Sequence, residues 1–143
     1  MIRNRRTNDQ AEKRVSIFGF PQMAEMGSMT VSQFPGRMEF SFEYCDGEEF
    51  TLFFRDVSGY RFRREAYISK WHLTNTVDQL VEIENSSWPA ELIADSLRPV
   101  VRPREMHHYL FCASDHGCYE VLAAAFATAG ARVLAPWDDD EPI

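Results

Sequence analysis

The amino-acid sequence predicts an α+β fold in which an antiparallel sheet of about five strands carries two helices on one face. Apolar and polar side chains alternate over residues 36–65 and again over 79–84, which is the pattern of half-buried strands. Two other stretches favour helices. Residues 88–96 follow potential N-cap residues, and residues 118–129 follow another potential N-cap and precede Gly130, a residue typical of helix ends.

The first alternating stretch predicts a three-stranded meander. Asp46-Gly47 marks the first turn, and a loop of three or five residues centred on Gly47 would place Phe42 opposite Leu52. Val57-Ser58-Gly59 predicts a second, three-residue turn. The resulting sheet has an aromatic, buried face and a charged face, with these apolar residues on the buried side: Met38, Phe40, Phe42, Tyr44, Phe50, Leu52, Phe54 and Phe62.

The remaining elements complete a single domain. Residues 79–84 and 106–113 are predicted strands, 88–96 and 118–129 are predicted helices, and 131–134 favour a short further strand. Residues 1–13 are almost free of apolar side chains and predict a flexible basic leader. We therefore expect an α+β domain over residues 14–136, followed by an acidic tail over 137–143.

Charge and cysteine content restrict the function classes. The 143 residues carry a net charge of -7, but the first 14 carry +3 and the remainder -10. An acidic body repels phosphate backbones, which argues against nucleic acid as the main ligand and favours a basic partner. The polar start holds no secretory signal, the apolar stretches are too short for a membrane span, and three cysteines make a poor disulfide framework. These features predict a cytoplasmic protein in a reducing compartment.

Residues 107–118 hold the densest group of reactive side chains. Histidine and cysteine are zinc ligands, but the spacing is not that of a zinc finger, so we favour a strand–turn–helix with buried thiols over a metal site. Cys118 near a helix start is an alternative thiol nucleophile. The sequence holds no common catalytic or nucleotide-binding motif, and we predict neither a catalytic residue nor a cofactor. The candidate metal ligands are His108, Cys112, His116 and Cys118.

Three arginines of the meander form a second candidate site. In the predicted register Arg55, Arg61 and Arg63 share the charged face with Phe53, where they could bind a carboxylate or a phosphate. The competing interpretation, which we favour, is a face of internal ion pairs, each of which contributes about 1 kcal/mol or less. Phe53 is harder to explain in that way and is a candidate contact residue.

The acidic tail is a third candidate. Trp137 combines an aromatic anchor with the adjacent anions Asp138 and Asp139, and such a segment could dock into a basic cleft of a partner. A solvated terminus is the competing interpretation.

Two stretches, LVEIENSSWPAEL (residues 80–92) and HHYLFCASDHGCYEVLAAAF (residues 107–126), carry a resemblance. Together they resemble a pattern in small, uncharacterised bacterial α+β proteins. In that pattern a strand ends in Ile/Val-Glu-Asn-Ser before a Trp. A later His-Tyr strand runs through an acidic turn into Cys-Tyr-Glu-Val. The resemblance implies an α+β fold, and no catalytic role carries over from it.

These observations predict a non-enzymatic, small cytoplasmic binding protein with a protein partner, of the kind that toxin-immunity inhibitors represent. The alternative is a metal- or thiol-dependent enzyme that uses residues 107–118. A third hypothesis is a homo-oligomer in which a sheet edge or the aromatic face pairs with its own copy.

Overall fold

The computed structural model describes residues 11–20, 26–73, 76, 78–98, 105–113 and 116–130. Within them the chain forms a short 3₁₀ helix (Glu65–Tyr67), two short α-helices and nine strands. The helices are α1 (Lys70–Leu73) and α2 (Trp88–Ala94). The strands are β1 (Lys13–Gly19), β2 (Met26–Phe34), β3 (Arg37–Tyr44), β4 (Glu49–Arg55), β5 (Gly59–Arg63), β6 (Gln79–Glu84), β7 (His107–Ala113), β8 (Gly117–Ala123) and β9 (Ala125–Gly130).

The strands build two antiparallel sheets. One has the order β1-β6-β7-β8-β5 and the other the order β2-β3-β4-β9. The predicted α+β fold with one sheet and two helices on its face is therefore wrong. The protein is a β-rich sandwich. Its two short α-helices both contact β7, and the 3₁₀ helix contacts β8.

Aromatic side chains from both sheets fill the space between them. Phe40 of β3 meets Phe111 of β7 edge to face at 5.0 Å, and Phe54 of β4 lies 5.2 Å from Tyr109 of β7. Full burial of each such ring contributes about 1.5–3 kcal/mol, which makes this layer the main source of stability. The five-stranded sheet thus has an inner face against the core and an outer face that the helices only partly cover.

The β3–β4 hairpin confirms the alternating pattern, but its register differs from the prediction. Phe42 lies opposite Phe50 and not opposite Leu52. The loop has three residues, because the N–H of Tyr44 donates to the carbonyl of Glu48 at 2.9 Å. Gly47 has φ +88° and occupies the last loop position, where a left-handed conformation is needed. The loop centre therefore falls one residue earlier than predicted.

The third strand of the predicted meander lies in the other sheet. β5 pairs with β8, and the second edge of β4 is taken by β9. At the edge of the five-stranded sheet the ring of Phe62 is 43% exposed, whereas Phe42 and Leu52 are buried as predicted. The predicted burial of Phe62 is wrong because β4 pairs with β9 and not with β5.

The predicted helix over 118–129 is also wrong, since these residues belong to β8 and β9. Val121, Leu122 and Ala123 are all fully buried, because one face of β8 packs against the aromatic core and the other face lies beneath the helices. A strand that is buried on both faces shows no alternation, so its Leu and Ala residues resemble a helix. The other predicted elements are confirmed as β6, α2 and β7, although α2 is shorter and Leu92 and Ile93 are only partly buried.

Several predictions fall outside the described residues. They are the strand over 131–134, the acidic tail 137–143 and most of the leader 1–13. Among the described residues no helix is long and apolar enough to cross a membrane.

Candidate binding cleft

The outer face of the five-stranded sheet carries a buried carboxylate. Glu120 of β8 is 6% exposed and points away from the aromatic core, as do Cys118 and Leu122. One of its oxygens accepts hydrogen bonds from His108 Nε2 at 2.8 Å and from Arg61 at 2.9 Å. A buried carboxylate without such partners would be costly, so the bonds explain how the sheet tolerates it.

The sheet register brings the partners of Glu120 together. Arg61 of β5 lies directly opposite Glu120, and His108 of β7 is two residues from Leu110, which faces Glu120 from the other side. The third partner comes from outside the sheet. α1 places the Nε2 atom of His72 at 3.6 Å from the second carboxylate oxygen. Glu120 thus joins two strands and a helix.

Hydrogen bonds with two serines orient the histidines. The backbone N–H of Ser69 donates to His72 Nδ1 at 3.1 Å, so the Nε2 atom of neutral His72 carries the hydrogen that faces Glu120. Ser86 Oγ lies 2.6 Å from His108 Nδ1 and accepts the N–H of Trp88 at 3.1 Å. Through Ser86 the network also holds the start of α2 against the sheet.

The charges in this network follow from burial and from the bonds. Burial opposes ionisation of Glu120, but the hydrogen bond from His108 and the charge of Arg61 hold the pKa of Glu120 below its ordinary value. Burial lowers the pKa of His72 despite the nearby carboxylate, so this imidazole is neutral at neutral pH. The result is a fixed anion that neutralises part of the charge of Arg61.

Two arginines lie over tryptophan rings beside the network. The guanidinium of Arg61 is 3.7 Å from the ring centre of Trp88, and that of Arg14 is 4.4 Å from the ring centre of Trp71. Arg14 also donates to the carbonyl oxygen of Trp71. Such cation–π contacts restrict long side chains that would otherwise move freely.

A cleft of about 630 Å³ opens above Glu120, and we call it the Arg61 cleft. A second hollow of about 510 Å³ lies on the other side of Arg61, between that residue and α2. Trp71 is 38% exposed at the first of these. The residues that line the Arg61 cleft are Arg61, Phe62, Arg63, Ser69, Trp71, His72 and Glu120.

Four of the predicted binding residues are described, and the structure separates them into two groups. Arg61 and Arg63 line the cleft together. Phe53 and Arg55 lie on β4 in the other sheet, where they face Ala127 and Ala125 of β9, so the predicted shared charged face does not form. Trp137, Asp138 and Asp139 lie outside the described residues.

The four predicted metal ligands have other roles or positions. Cys112 and Cys118, which face each other across β7 and β8, form a disulfide bond, contrary to the expected pair of thiols. His108 is bonded to Glu120, and His116 lies in the turn before β8. Over the part of the chain that the structure describes, no group of three or more His, Cys, Asp or Glu side chains is arranged to hold a metal ion.

The residues at the centre of the cleft were not predicted from the sequence. The pattern around Glu120 predicts a helix, and no pattern in the sequence marks Trp71 or His72 as a site residue. One signal was available: Glu120 is an acidic residue in a run of apolar neighbours, which in a strand indicates a buried and paired carboxylate.

Comparisons with protein-family models, with curated proteins and with solved structures give no significant match.

Proposed function

We propose that the protein is a non-enzymatic binding protein that contacts a protein partner through the Arg61 cleft. The observation that carries this proposal is the combination of two arginines, Arg61 and Arg63, with the exposed ring of Trp71 around one concave surface. Arginine and tryptophan dominate the energetic centres of protein interfaces. Glu120 and Trp88 hold Arg61 in place before a partner arrives, so less conformational entropy is lost on binding.

We propose further that the protein is an inhibitor of the toxin-immunity type. The acidic body supports it, because an excess of negative charge speeds the encounter with a basic partner. The cleft itself adds a local preference of the opposite sign, since Arg61 and Arg63 favour acidic groups of the partner. A cytoplasmic location stays a prediction, and the Cys112–Cys118 disulfide argues against it because such bonds are rare in that compartment.

Affinity capture with matched variants tests the proposal. The immobilised protein, its Trp71→Ala variant and its Phe34→Ala variant are exposed to the same extract and then compared by quantitative mass spectrometry. Phe34 is a suitable control because it is also an exposed ring (41%) with an arginine stacked on it, but it lies on β2 of the other sheet.

We expect a protein that the parent and Phe34→Ala retain and Trp71→Ala loses. With that partner purified, Trp71→Ala should weaken binding by at least about 2 kcal/mol, or thirtyfold, as loss of an interface hot spot does. Equal recovery of every bound protein on all three supports would contradict the proposal.

A second candidate function, nucleophilic catalysis by Ser86, is favoured by one observation. Ser86, His108 and Glu120 form a continuous chain of hydrogen bonds of 2.6 and 2.8 Å, which resembles the order of groups in a serine hydrolase. We rank it second because Ser86 Oγ already accepts the N–H of Trp88 and so anchors α2. Cys118 cannot serve as the nucleophile of a thiol-dependent enzyme while it is bonded to Cys112 in a disulfide.

A fluorophosphonate probe separates the two candidates. Such a probe forms a bond from phosphorus to an activated serine oxygen and releases fluoride. We expect no labelling of the folded protein. Stoichiometric labelling that disappears in Ser86→Ala would make the enzyme hypothesis the better one.

A further inference from the structure

We propose that the outer edge of β5 accepts an extended segment of the partner in which acidic and apolar residues alternate. This inference rests on the proposed function, since it names the kind of segment that would reach the Arg61 cleft. It is carried by the position of β5 in the sheet, by the sorting of its side chains and by the charge of its arginines.

β5 is an edge strand. It ends the order of the five-stranded sheet, and within the described ranges only β8 pairs with it. Residues 60–63 are all exposed. The outward backbone groups of such a strand can form hydrogen bonds with a further strand, which is a common mode of peptide recognition.

The side chains of β5 sort by chemistry onto two faces. Tyr60 and Phe62, which are 44% and 43% exposed, share one face with the aromatic core. Arg61 and Arg63 lie on the opposite face and line the cleft. An added strand would therefore place every second residue beside an aromatic ring and the residues between them beside an arginine.

Both arginines keep capacity for an acidic group. The side chain of Arg61 remains 48% exposed although it is bonded to Glu120. Arg63 donates to the carbonyl oxygen of Tyr67 at 3.2 Å, which is an uncharged acceptor. A carboxylate on the added strand could therefore reach either guanidinium and gain a charge-assisted hydrogen bond.

The same sorting disfavours a second copy of this chain as the occupant. If two β5 strands paired with their aromatic residues on one face, arginine would lie opposite arginine on the other. Like charges directly across a strand pair are destabilising. Charge complementarity therefore points to an acidic segment of a different protein.

The test uses a short capped peptide in which valine and glutamate alternate, added to the isotopically labelled full chain and followed by NMR. One control peptide has lysine in place of glutamate, and another has the same composition with the glutamates adjacent. We expect shifts of the β5 backbone amides that saturate with the alternating acidic peptide, and an affinity about tenfold lower for the lysine peptide, because two cross-strand charge pairs are reversed.

Variants of the chain sharpen the result. Arg63→Glu should weaken the acidic peptide about fivefold or more and improve binding of the lysine peptide, while Arg64→Glu, which lies just outside β5, should change neither. Equal binding of the acidic and lysine peptides, or shifts that spare β5, would overturn the inference. If the acidic peptide shifts the β5 backbone amides only when Asp138→Asn and Asp139→Asn are both present, the chain's own acidic tail is the occupant. The inference then also fails.

The inference and the proposed function can fail separately. If a partner is captured in a Trp71-dependent way while the peptide leaves β5 unchanged, the cleft stands as the binding site and the strand-addition mode is wrong.

Discussion

Glu120 accepts hydrogen bonds from Arg61 on one neighbouring strand and from His108 on the other. The bond to Arg61 sets the position of a guanidinium that forms the wall of the cleft, and the bond to His108 leads through Ser86 to the start of α2. One carboxylate therefore couples the stability of the outer layer to the shape of the binding surface. Its removal should affect both.

Replacement of Glu120 by Gln tests this coupling. The variant keeps the size of the side chain but leaves His108 and Arg61 without their anionic partner, so we expect a loss of about 1–3 kcal/mol in the free energy of unfolding. Urea denaturation measures the change. The control is Glu105→Gln, whose side chain is 70% exposed beside His107 and should cost less than about 0.5 kcal/mol. A neutral effect of Glu120→Gln would show that the network does not hold the layer.

His72 predicts a pH dependence. Its folded pKa is lowered by burial, so the unfolded state binds more protons, and the stability contributed by neutral His72 is lost as pH falls below about 6.5. Between pH 7.5 and pH 5.5 the parent should therefore lose more stability than His72→Gln does. Urea denaturation of both proteins across this range measures the difference. Parallel pH profiles would contradict the prediction.

His107 predicts a dependence of the opposite sign. Burial lowers the pKa of His107, but the hydrogen bonds to Glu82 and Glu105 outweigh this effect and raise the pKa overall. The folded state then binds more protons, so this contribution is present below about pH 6.5 and is lost as pH rises through the folded pKa. His107→Asn should remove a fall in stability that begins as pH rises above about 6.5, measurable by thermal unfolding. A fall of the same size in the variant would exclude His107 as its source.

At the scale of the elements, alternation and turn chemistry were sufficient for β3 and β4. Met38, Phe40 and Phe42 alternate with polar residues because one face of β3 meets the core and the other meets solvent. β8 has no such contrast, since Val121 and Leu122 are buried on opposite faces. The information that makes residues 117–123 a strand lies in its neighbours β5 and β7, and one local stretch of sequence does not contain it.

The residues of the cleft also divide into those that local sequence identifies and those that it does not. Arg61 and Arg63 could be identified because their spacing of two puts both on one face of any strand. Their companions could not, because Trp71 and His72 reach the cleft from α1, a helix of only four residues. Phe53 and Arg55 would share a face with these arginines only if β4 paired with β5. In the structure β4 pairs with β9 instead.

Gly117 is the first residue of β8, and its backbone predicts a graded series of substitutions. It has φ +99°, and a Cβ atom there would lie 2.2 Å from the carbonyl oxygen of Arg63. Gly117→Ala should therefore cost about 3 kcal/mol or more, because backbone strain adds to a contact with another backbone. Gly47, at φ +88° with open space, should cost about 1–2 kcal/mol, and Gly19, with ordinary φ and open space, about 0.5 or less. Denaturant unfolding of the three alanine variants measures the order, and equal losses would contradict it.

At the scale of the whole molecule, the two sheets of the sandwich have different roles. The four-stranded sheet supplies one side of the core through residues such as Phe40, Leu52 and Phe54. The five-stranded sheet supplies the other side of the core, and its outer face carries the buried carboxylate, the stacked arginines and the cleft. We therefore expect a partner to change the outer face of the five-stranded sheet and to leave the β2–β3 hairpin unaffected.

Hydrogen–deuterium exchange of the full chain, measured with and without the captured partner, tests this division most directly. We predict slower exchange in residues 59–73, which cover β5, the 3₁₀ helix and α1, and unchanged exchange in residues 26–37 of the opposite sheet. Protection confined to residues 26–37, with β5 and α1 unchanged, would contradict the assignment of the Arg61 cleft as the binding surface.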